Sequence, residues 1–365
     1  RKIETARTKQ DKKVTTKTKC INLSFAPLNL TTRHPFGISY GTSSQTLNVQ
    51  VQLELDGLIG LGEAAPASYH GESRETVMAV LAKFQAHQEE LLGNSAHAIH
   101  AVSTRLDKMI AGHSAAKAAI EMAMHDLAGK VSNLPTWKML GLADAQAPMT
   151  DFTIGIDNLE MIEKKTEEAV AAGHKMLKVK LGTSYDRQII EKVRKVAPNL
   201  PLRVDANGGW SVKQAVDCAR FLHEHQVEFI EQPLPKFALK EDFQFVKDHS
   251  PVPIFADESV CKASDVARLA GAIDGVVVKL AKSGGLLEAM RVIATARAHG
   301  LKIMFGMMIE SSIGVTAAAQ LSSLCDYLDL DGALLLKDDP YEGALWQDGY
   351  LKLSDKPGLG VSLRA

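Results

Sequence analysis

The strongest constraint on the fold is a repeat of short apolar segments between residues 151 and 335. Eight segments recur at steps of about 25 residues, each followed by a stretch of helical periodicity. They end near positions 154, 180, 205, 231, 257, 279, 304 and 329. Strands that alternate with helices pair in parallel through right-handed crossovers, and eight of them close into a barrel. The alternative is an open doubly wound sheet, but no glycine-rich nucleotide-binding motif follows a strand.

Residues 20–140 have a different pattern, which predicts a smaller α+β domain. Apolar and polar residues alternate in 21–25 and in 47–55, as they do in half-buried strands. Asp56-Gly57 follows the second of these segments and is typical of a hairpin turn. From residue 72 to about residue 131 the periodicity is helical.

The chain is therefore expected to comprise three parts. These are a basic tail at residues 1–19, an α+β capping domain at 20–140 that is completed by about 340–365, and an α/β barrel at 150–335. The tail carries eight basic residues against Glu4 and Asp11. It is interpreted either as a solvated tail or as the remnant of an organelle-targeting segment, since it lacks the apolar core of a secretory signal.

Composition excludes several classes of partner. Lysine and arginine number 42 against 43 aspartates and glutamates, so the net charge of −1 gives no general attraction to nucleic acid or to an anionic membrane. The four cysteines lie far apart without a C-x-x-C pair and are interpreted as reduced thiols. We expect a cytoplasmic protein, or an organellar one if the tail is a targeting remnant. We also expect a homo-oligomer with a small-molecule substrate.

Acidic residues end three consecutive barrel strands, namely Asp205, Glu231 and Asp257. Active sites of such barrels lie at the C-terminal ends of the strands, so these carboxylates are expected to converge. Three unpaired negative charges in one cavity would not all stay ionised. A hard divalent cation resolves the repulsion, and a small set of oxygen ligands suits Mg²⁺.

Lysines end two strands that flank this trio. Lys178 and Lys180 share one face of their strand, because side chains alternate, and Lys279 ends a strand on the opposite side of the barrel. Like charge and partial burial are expected to lower a lysine pKa in the first pair and to make it a usable base. A substrate bound at the metal would have one lysine on each face of its reacting carbon. Such opposed bases predict proton removal on one side and delivery on the other, through a metal-stabilised enediolate.

These motifs resemble the muconate lactonizing enzyme subgroup of the enolase superfamily. The resemblance is carried by Lys178-Val-Lys180, Asp205-Ala-Asn, Glu231-Gln-Pro, Asp257-Glu-Ser and Lys279-Leu-Ala-Lys-Ser-Gly-Gly, with Pro35-Phe36, Gly62-Glu63 and Tyr69-His-Gly-Glu-Ser in the first domain. It implies a modified TIM barrel, (β/α)7β, with an α+β capping domain. It also implies Mg²⁺ on the three acids, acid/base catalysis by Lys180 and Lys279, and a helper role for Lys178.

Asp329 and Asp331 decide among the reactions of the subgroup. They lie two residues apart on the eighth strand, share one face, and would form an anionic clamp for a substrate cation. The pair resembles the one by which dipeptide epimerases hold the α-ammonium group. Muconate cycloisomerases and o-succinylbenzoate synthases take anionic substrates, which such a clamp would repel.

The side chain that the enzyme prefers is less constrained by the sequence. Residues 30–44, rich in threonine, glycine and serine, are predicted to form a long loop that folds over the barrel mouth. Relatives that prefer glutamate can carry an arginine just after the position of Gly41, and here Thr-Ser43-Ser follows instead. The candidate specificity residues are Arg33 and Ser43 in this loop and Met304 near the seventh strand. Met304 could add an apolar wall together with Met307 and Met308.

The sequence therefore predicts a Mg²⁺-dependent dipeptide epimerase acting on the C-terminal residue of an L-Ala-L-X-type dipeptide. The alternatives within the subgroup are N-acylamino acid racemase, o-succinylbenzoate synthase and muconate cycloisomerase, which would keep Lys180 and Lys279 but not depend on Asp329 and Asp331. The alternative from another class is a non-catalytic barrel that binds small ligands.

Overall fold

The computed structural model describes residues 20–142 and 146–365. The predictions for the basic tail at 1–19 lie outside the described residues. Within the described ranges, no helix combines the length and the apolarity needed to cross a membrane.

The N-terminal part is an antiparallel three-stranded sheet covered by helices. Its elements are β1 (Asn22–Ile38), β2 (Gly41–Leu55), β3 (Leu58–Ala64), α1 (Arg74–Ala86), α2 (Gln88–Leu92), α3 (Ile99–Met109), α4 (Ser114–Ser132) and α5 (Thr136–Met139). The hairpin predicted at Asp56-Gly57 is confirmed, since both residues have positive φ, 51° and 82°, as a tight hairpin turn requires. Gly60 and Gly62 of β3 pack against α4. A Cβ on either glycine would clash with a backbone carbonyl of that helix.

The long loop predicted at residues 30–44 is wrong. Strands β1 and β2 continue through it and pair almost to their tips, with a register shift between Thr31 and Phe36. The composition of the segment is typical of a loop because threonine, serine and glycine make up more than half of it. Its backbone instead pairs with the opposite strand of the hairpin on both sides of the register shift, and Thr32 within the shift forms a bridge with Leu336. The hairpin tip at Ser39 reaches the barrel, where its hydroxyl donates to the carbonyl of Asn207 at 2.8 Å.

Eight parallel strands form the barrel, which confirms the predicted fold class. They are β4 (Phe152–Ile154), β5 (Leu177–Lys180), β6 (Leu202–Asp205), β7 (Val227–Glu231), β8 (Ile254–Ala256), β9 (Gly275–Val278), β10 (Lys302–Phe305) and β11 (Tyr327–Leu328). They pair in sequence order from β4 to β11, and a parallel bridge between Thr150 and Leu328 joins the two ends.

Helices connect each strand to the next. They are α6 (Leu159–Ala171), α7 (Asp186–Val196), α8 (Val212–Glu224), α9 (Lys240–His249), α10 (Ala263–Leu269), α11 (Leu280–Ser283), α12 (Leu286–Ala298) and α13 (Ser312–Ala319). The last strand is followed by a short 3₁₀ helix at Gly332–Leu335 rather than by an α-helix, which gives the (β/α)7β arrangement.

The C-terminal segment returns to the capping domain. It contains β12 (Tyr341–Glu342), β13 (Leu345–Gln347), β14 (Tyr350–Lys352) and β15 (Ser362–Leu363). Beyond β14 the amide of Leu359 donates to Asp126 on α4 at 2.8 Å, and the amide of Thr136 donates to the carbonyl of Gly358 at 2.8 Å. The C-terminal segment therefore packs against α4 and against the start of α5.

A buried carboxylate joins the two domains at a helix terminus. Glu121 on α4 accepts a 2.7 Å hydrogen bond from the amide of Leu287, in the first turn of α12. An anion is favourable there because the first amides of a helix lack partners and the helix dipole is positive at that end. Burial nevertheless raises the pKa of Glu121 to about 7.

Candidate active site

Three carboxylates converge at the C-terminal ends of β6, β7 and β8. Asp205 and Glu231 occupy neighbouring register positions, and Asp257 directly follows β8. One oxygen of each residue lies within 4.8 Å of one oxygen of both others, and all three side chains are buried. This is the arrangement of acids that the sequence predicted for the mouth of the barrel.

Glu231 provides a direct test of whether a cation fits among these acids. Its Oε1 has no hydrogen-bond partner within the described part of the chain, and its Oε2 lies 2.6 Å from Lys178 Nζ without hydrogen-bond geometry. Burial, and then the negative charge of Asp205, raise the pKa of Glu231 well above its usual value. A buried carboxylate of this kind is costly unless it is protonated or bound to a cation. An all-oxygen donor set suits Mg²⁺.

Lys178 lies beneath the carboxylates and is fully buried. Its Nζ lies 2.7 Å from Asp329 Oδ2 and 3.5 Å from Asp205 Oδ2, besides the contact with Glu231. Burial alone would lower the pKa of Lys178, but the carboxylates of Asp329, Glu231 and Asp205 outweigh it and raise the pKa well above its usual value. The sequence-based expectation of a lowered pKa is therefore wrong for this lysine, because acids rather than a like charge dominate its surroundings.

Lys180 and Lys279 flank the trio on opposite sides of the barrel. Lys180, on β5, donates to Asp205 Oδ2 at 2.6 Å, and Lys279, directly after β9, donates to Asp257 Oδ2 at 2.6 Å. Four strand positions separate β5 from β9 in the eight-stranded sheet, so the two ammonium groups face each other across the mouth. Burial lowers the pKa of Lys279, but the adjacent Asp257 outweighs burial and raises it well above its usual value.

Two neighbours of the metal-ligand candidates were missed by the sequence analysis. Lys282 donates to Asp257 Oδ1 at 2.6 Å and to the carbonyl of Val277 at 2.8 Å, so it fixes the carboxylate from below. Asn207 donates its amide to Asp205 Oδ1 at 2.8 Å and its side chain to Glu258 at 3.0 Å. The signal in the sequence was their position in two motifs of the family resemblance, Asp205-Ala-Asn for Asn207 and Lys279-Leu-Ala-Lys for Lys282.

Asp329 and Asp331 lie beside Lys178, where the eighth strand ends. Thr153 on β4 holds both, because its hydroxyl donates to Asp329 Oδ1 at 3.1 Å and its amide donates to Asp331 Oδ2 at 2.6 Å. Burial opposes ionisation of Asp329, but Lys178 and Lys180 outweigh it and lower its pKa. Burial and the charge of Asp329 raise the pKa of Asp331 to about 7.

A cavity of about 390 Å³ connects these groups to the capping domain. Its floor contains Lys180, Lys279, Asp329, Asp331 and Thr153. Its roof comes mainly from the β1–β2 hairpin and from the segment after β3. Ser43 on β2 lines the roof, and its hydroxyl donates to the carbonyl of Gln45 at 2.7 Å. A volume of this size suits a small-molecule ligand.

Arg33 and Met304 lie elsewhere. Arg33 lines a neighbouring cavity, and its Nε donates to the carbonyl of Leu334 at 3.1 Å. Met304 is fully buried and packs inside the barrel with Phe229, Phe255 and Val277. Side chains alternate along β10, so the inward position nearest the mouth is Gly306, one layer above Met304. The methionines that line the cavity come after the strand, at Met307 and Met308.

Two tyrosines from the capping domain close the cavity above the lysines. Tyr40 and Tyr69 stack with ring centroids 4.8 Å apart and planes 17° apart. The Tyr69 hydroxyl donates to Met308 Sδ at 3.1 Å. Burial, followed by the charge of Glu258, raises the pKa of Tyr40 to about 12. Burial also raises the pKa of Tyr69. Both phenols therefore stay neutral at physiological pH, and the wall that they form carries no charge.

Two protein-family descriptions match the chain. The C-terminal part, residues 161–365, matches the family described as enolase C-terminal domain-like. Residues 21–141 match the N-terminal domain of mandelate racemase / muconate lactonizing enzyme.

Individual relatives cover almost the whole chain. An L-Ala-D/L-Glu epimerase of Bacteroides thetaiotaomicron is 40% identical over 93% of this chain and 88% of its own length. A hydrophobic dipeptide epimerase of Roseobacter litoralis is 38% identical over 93% and 98%. Among solved structures, a dipeptide epimerase of Cytophaga hutchinsonii complexed with Mg and D-Ala-L-Val has a TM-score of 0.89. It is 31% identical, over 95% of this chain and 96% of that one.

Proposed function

The chain belongs to the mandelate racemase / muconate lactonizing enzyme family of the enolase superfamily, and we propose that it is a magnesium-dependent dipeptide epimerase. It inverts the α-carbon of the C-terminal residue of the dipeptide. The observation that carries this proposal is a single cavity lined by the two opposed lysines and by the Asp-x-Asp pair. Each of these lysines donates to a member of the buried carboxylate trio.

Asp205, Glu231 and Asp257 would hold the magnesium ion, since Glu231 offers a buried carboxylate oxygen without another partner. When bound, the ion supplies positive charge that offsets the carboxylate charges and makes the neighbouring α-proton more acidic. Lys178 and Lys282 compensate part of the same negative charge from within the barrel. Asn207 and Lys282 keep the outer carboxylates oriented.

Lys180 and Lys279 exchange the roles of base and acid. With one configuration of substrate, the neutral amine of one lysine removes the α-proton and the ammonium group of the other delivers a proton to the opposite face. The α-carbon is inverted, one proton is taken up and one is released, and no co-reactant is consumed. The reverse direction uses the same groups with their protonation states exchanged.

Asp329 and Asp331 select the N-terminal end of the substrate. Two buried carboxylates beside the cavity favour a free α-ammonium group, which can form charge-assisted hydrogen bonds with them. An N-acylated amino acid lacks that charge and would leave Asp331 without a cation. This argues against the N-acylamino acid racemase alternative. The same carboxylates would repel the anionic substrates of an o-succinylbenzoate synthase or a muconate cycloisomerase.

The roof of the cavity favours an uncharged side chain on the C-terminal residue. Phe36, Ile38, Tyr40, Tyr69 and Met308 supply apolar surface there. Among the described residues that line the cavity, the cationic side chains are those of the two catalytic lysine candidates. A glutamate side chain would enter this space without a partner for its charge. We therefore propose apolar L-Ala-L-X dipeptides as the preferred substrates.

A stereochemical assay with a dipeptide panel tests the proposal. The protein and Mg²⁺ are incubated with L-Ala-L-Phe, L-Ala-L-Leu, L-Ala-L-Glu and N-acetyl-L-Phe. The stereoisomers, diastereomers for the dipeptides and enantiomers for the N-acetyl compound, are separated by chiral chromatography. We expect inversion of the second residue in the first two at higher kcat/KM than in L-Ala-L-Glu, and no turnover of the N-acetyl compound. Faster turnover of N-acetyl-L-Phe would contradict the dipeptide assignment. The cytoplasmic location and the homo-oligomer expected from the sequence stay predictions.

A further inference from the structure

Lys236, in the segment between β7 and α9, contacts the capping domain rather than the barrel. Its Nζ donates to the carbonyl of Tyr69 at 3.1 Å and to His70 Nδ1 at 2.9 Å. No carboxylate in the described ranges forms an ion pair with this ammonium group. The same Nζ also lies 5.5 Å from the centroid of the Phe237 ring. A long, flexible side chain is thus committed to two adjacent acceptors in the capping domain.

His70 is suited to receive this bond. An imidazole nitrogen accepts from an ammonium group only when it carries no proton, so Nδ1 is the free nitrogen and Nε2 carries the hydrogen. Burial, and then the charge of Lys236, lower the pKa of His70 to about 3, in agreement with a neutral ring. Tyr69 and His70 belong to a short 3₁₀ turn at Ser68–His70, so Lys236 fastens the turn that carries Tyr69.

The barrel end of this contact is fixed by residues next to two metal-ligand candidates. The hydroxyl of Ser259 donates to the carbonyl of Lys236 at 2.9 Å and accepts from Gln232 Nε2 at 2.9 Å. Gln232 Oε1 in turn accepts from the amide of Asp257 at 2.8 Å. Gln232 adopts a positive φ of 35°, which a non-glycine residue keeps only when its surroundings hold it there. A continuous chain of hydrogen bonds thus leads from the carboxylate strands to Lys236.

We propose that Lys236 is a positioning residue that holds Tyr69 over the lysines of the cavity, so that the roof against which the substrate side chain packs is fixed to the barrel. This inference rests on the proposed function for its effect on catalysis, but the contact itself does not. Without the ammonium group, the Ser68–His70 turn would be held to the barrel by packing, by the bond from Tyr69 to Met308 Sδ and by the 3.9 Å contact of His70 Nδ1 with Cys261 Sγ, two weak interactions with sulfur. Binding of a large side chain would then weaken, while the chemistry at the α-carbon would proceed.

Hydrogen–deuterium exchange tests the tether without reference to activity. The variants are Lys236→Met, which keeps the chain length but not the charge, Lys236→Arg, which keeps a donor, and Lys240→Met as the matched control at an exposed lysine. We expect faster exchange in the peptide covering residues 66–73 of Lys236→Met, where the amides of His70 and Gly71 bond to Ala67 and Ser68. Lys236→Arg is expected to restore protection in part. Equal exchange in Lys236→Met and Lys240→Met would overturn the proposal.

Kinetics then test the consequence for the substrate. We expect Lys236→Met to raise KM for L-Ala-L-Phe about tenfold with kcat nearly unchanged, and to leave L-Ala-L-Ala almost unaffected. An equal loss of kcat with both dipeptides would contradict the positioning role, because it would show that Lys236 acts through the carboxylate strands. Should the wild-type protein turn over no dipeptide, the proposed function would fail, and the exchange experiment would still decide the tether.

Discussion

Lys178 Nζ donates a 2.7 Å hydrogen bond to Asp329 Oδ2, which joins the second strand of the barrel to the segment after the eighth. This bond makes the two members of the Asp-x-Asp pair unequal. Asp329 neutralises a buried lysine under the carboxylate trio and also accepts from the hydroxyl of Thr153. Asp331 accepts from the amide of Thr153 and forms no ion pair with a described residue. The free charge for a substrate ammonium group is therefore that of Asp331.

Replacing the two aspartates by asparagine is expected to give different defects. Asp331→Asn should raise KM for dipeptides about ten- to a hundredfold with little change in kcat, because it removes a charge-assisted bond to the substrate. Asp329→Asn should lower kcat, because it leaves Lys178 without one of its anionic partners. Steady-state kinetics of both variants with L-Ala-L-Phe check this. The opposite assignment of the two defects would contradict the account.

The pH dependence of dipeptide binding follows from the pKa of about 7 at Asp331. Asp331 binds an ammonium group in its ionised form, so affinity is expected to fall as the pH drops below about 7. The inhibition constant of L-Ala-Gly, measured from pH 5.5 to 8.5, reports this step without the chemistry. The same series with Asp331→Asn is the control and should lack the fall in affinity below about pH 7, while loss of the ligand's own α-ammonium proton at about pH 8 affects both proteins alike. A wild-type profile that the substitution leaves unchanged would show that another group titrates.

The interdomain carboxylate of Glu121 predicts a pH-dependent stability. Its pKa in the folded protein is about 7, raised from an ordinary 4.5 by burial, so folding favours the protonated form. Stability from this group is fully present below about pH 4.5 and is lost as the pH rises through about 7. Between pH 5 and pH 8, the wild type is expected to lose about 2 kcal/mol of unfolding free energy more than Glu121→Gln does. Urea unfolding at the two pH values measures the unfolding free energies. An equal loss of unfolding free energy in the wild type and in Glu121→Gln would contradict the assignment.

Magnesium is expected to stabilise the fold as well as to support turnover. A ligand that binds only the folded state raises the unfolding temperature with its concentration. The wild type should therefore unfold at a higher temperature in Mg²⁺ than in EDTA, and Glu231→Gln should show a much smaller difference. Thermal unfolding followed by circular dichroism checks this. An equal effect of Mg²⁺ on both proteins would place the ion elsewhere.

The barrel and the residues at its mouth could be predicted because parallel strands impose them. Strand ends recur at a regular step, and alternation fixes which side chains face inward, so Lys180, Asp205 and Glu231 followed from spacing alone. The position of Met304 could not be predicted in this way, because spacing does not tell which layer of inward side chains lies in the core and which lies at the mouth. The prediction for the tip of the hairpin was also wrong, since polar residues are equally typical of a loop and of a half-exposed two-stranded hairpin.

Electrostatics and contacts between distant segments could not be predicted from the sequence. The pKa of Lys178 depends on which charges lie nearest in space, and these come from strands that are far apart in the chain. Lys236 and His70 are separated by 166 residues and meet only when the capping domain lies on the barrel. Lys282 was within a quoted motif, but its bond to Asp257 depends on the short helix that follows β9.

The most direct test of the two-lysine assignment is exchange of the α-proton in D₂O. L-Ala-L-Phe and L-Ala-D-Phe are incubated separately with Mg²⁺ and with the wild type, Lys180→Ala or Lys279→Ala, and deuterium at the second α-carbon is read by mass spectrometry. The wild type is expected to label both diastereomers. Each variant should lose epimerisation by at least about a thousandfold and should fail to label one diastereomer, a different one in each case. Loss of the same diastereomer in both variants, or full epimerisation by either, would contradict the assignment of one lysine to each face.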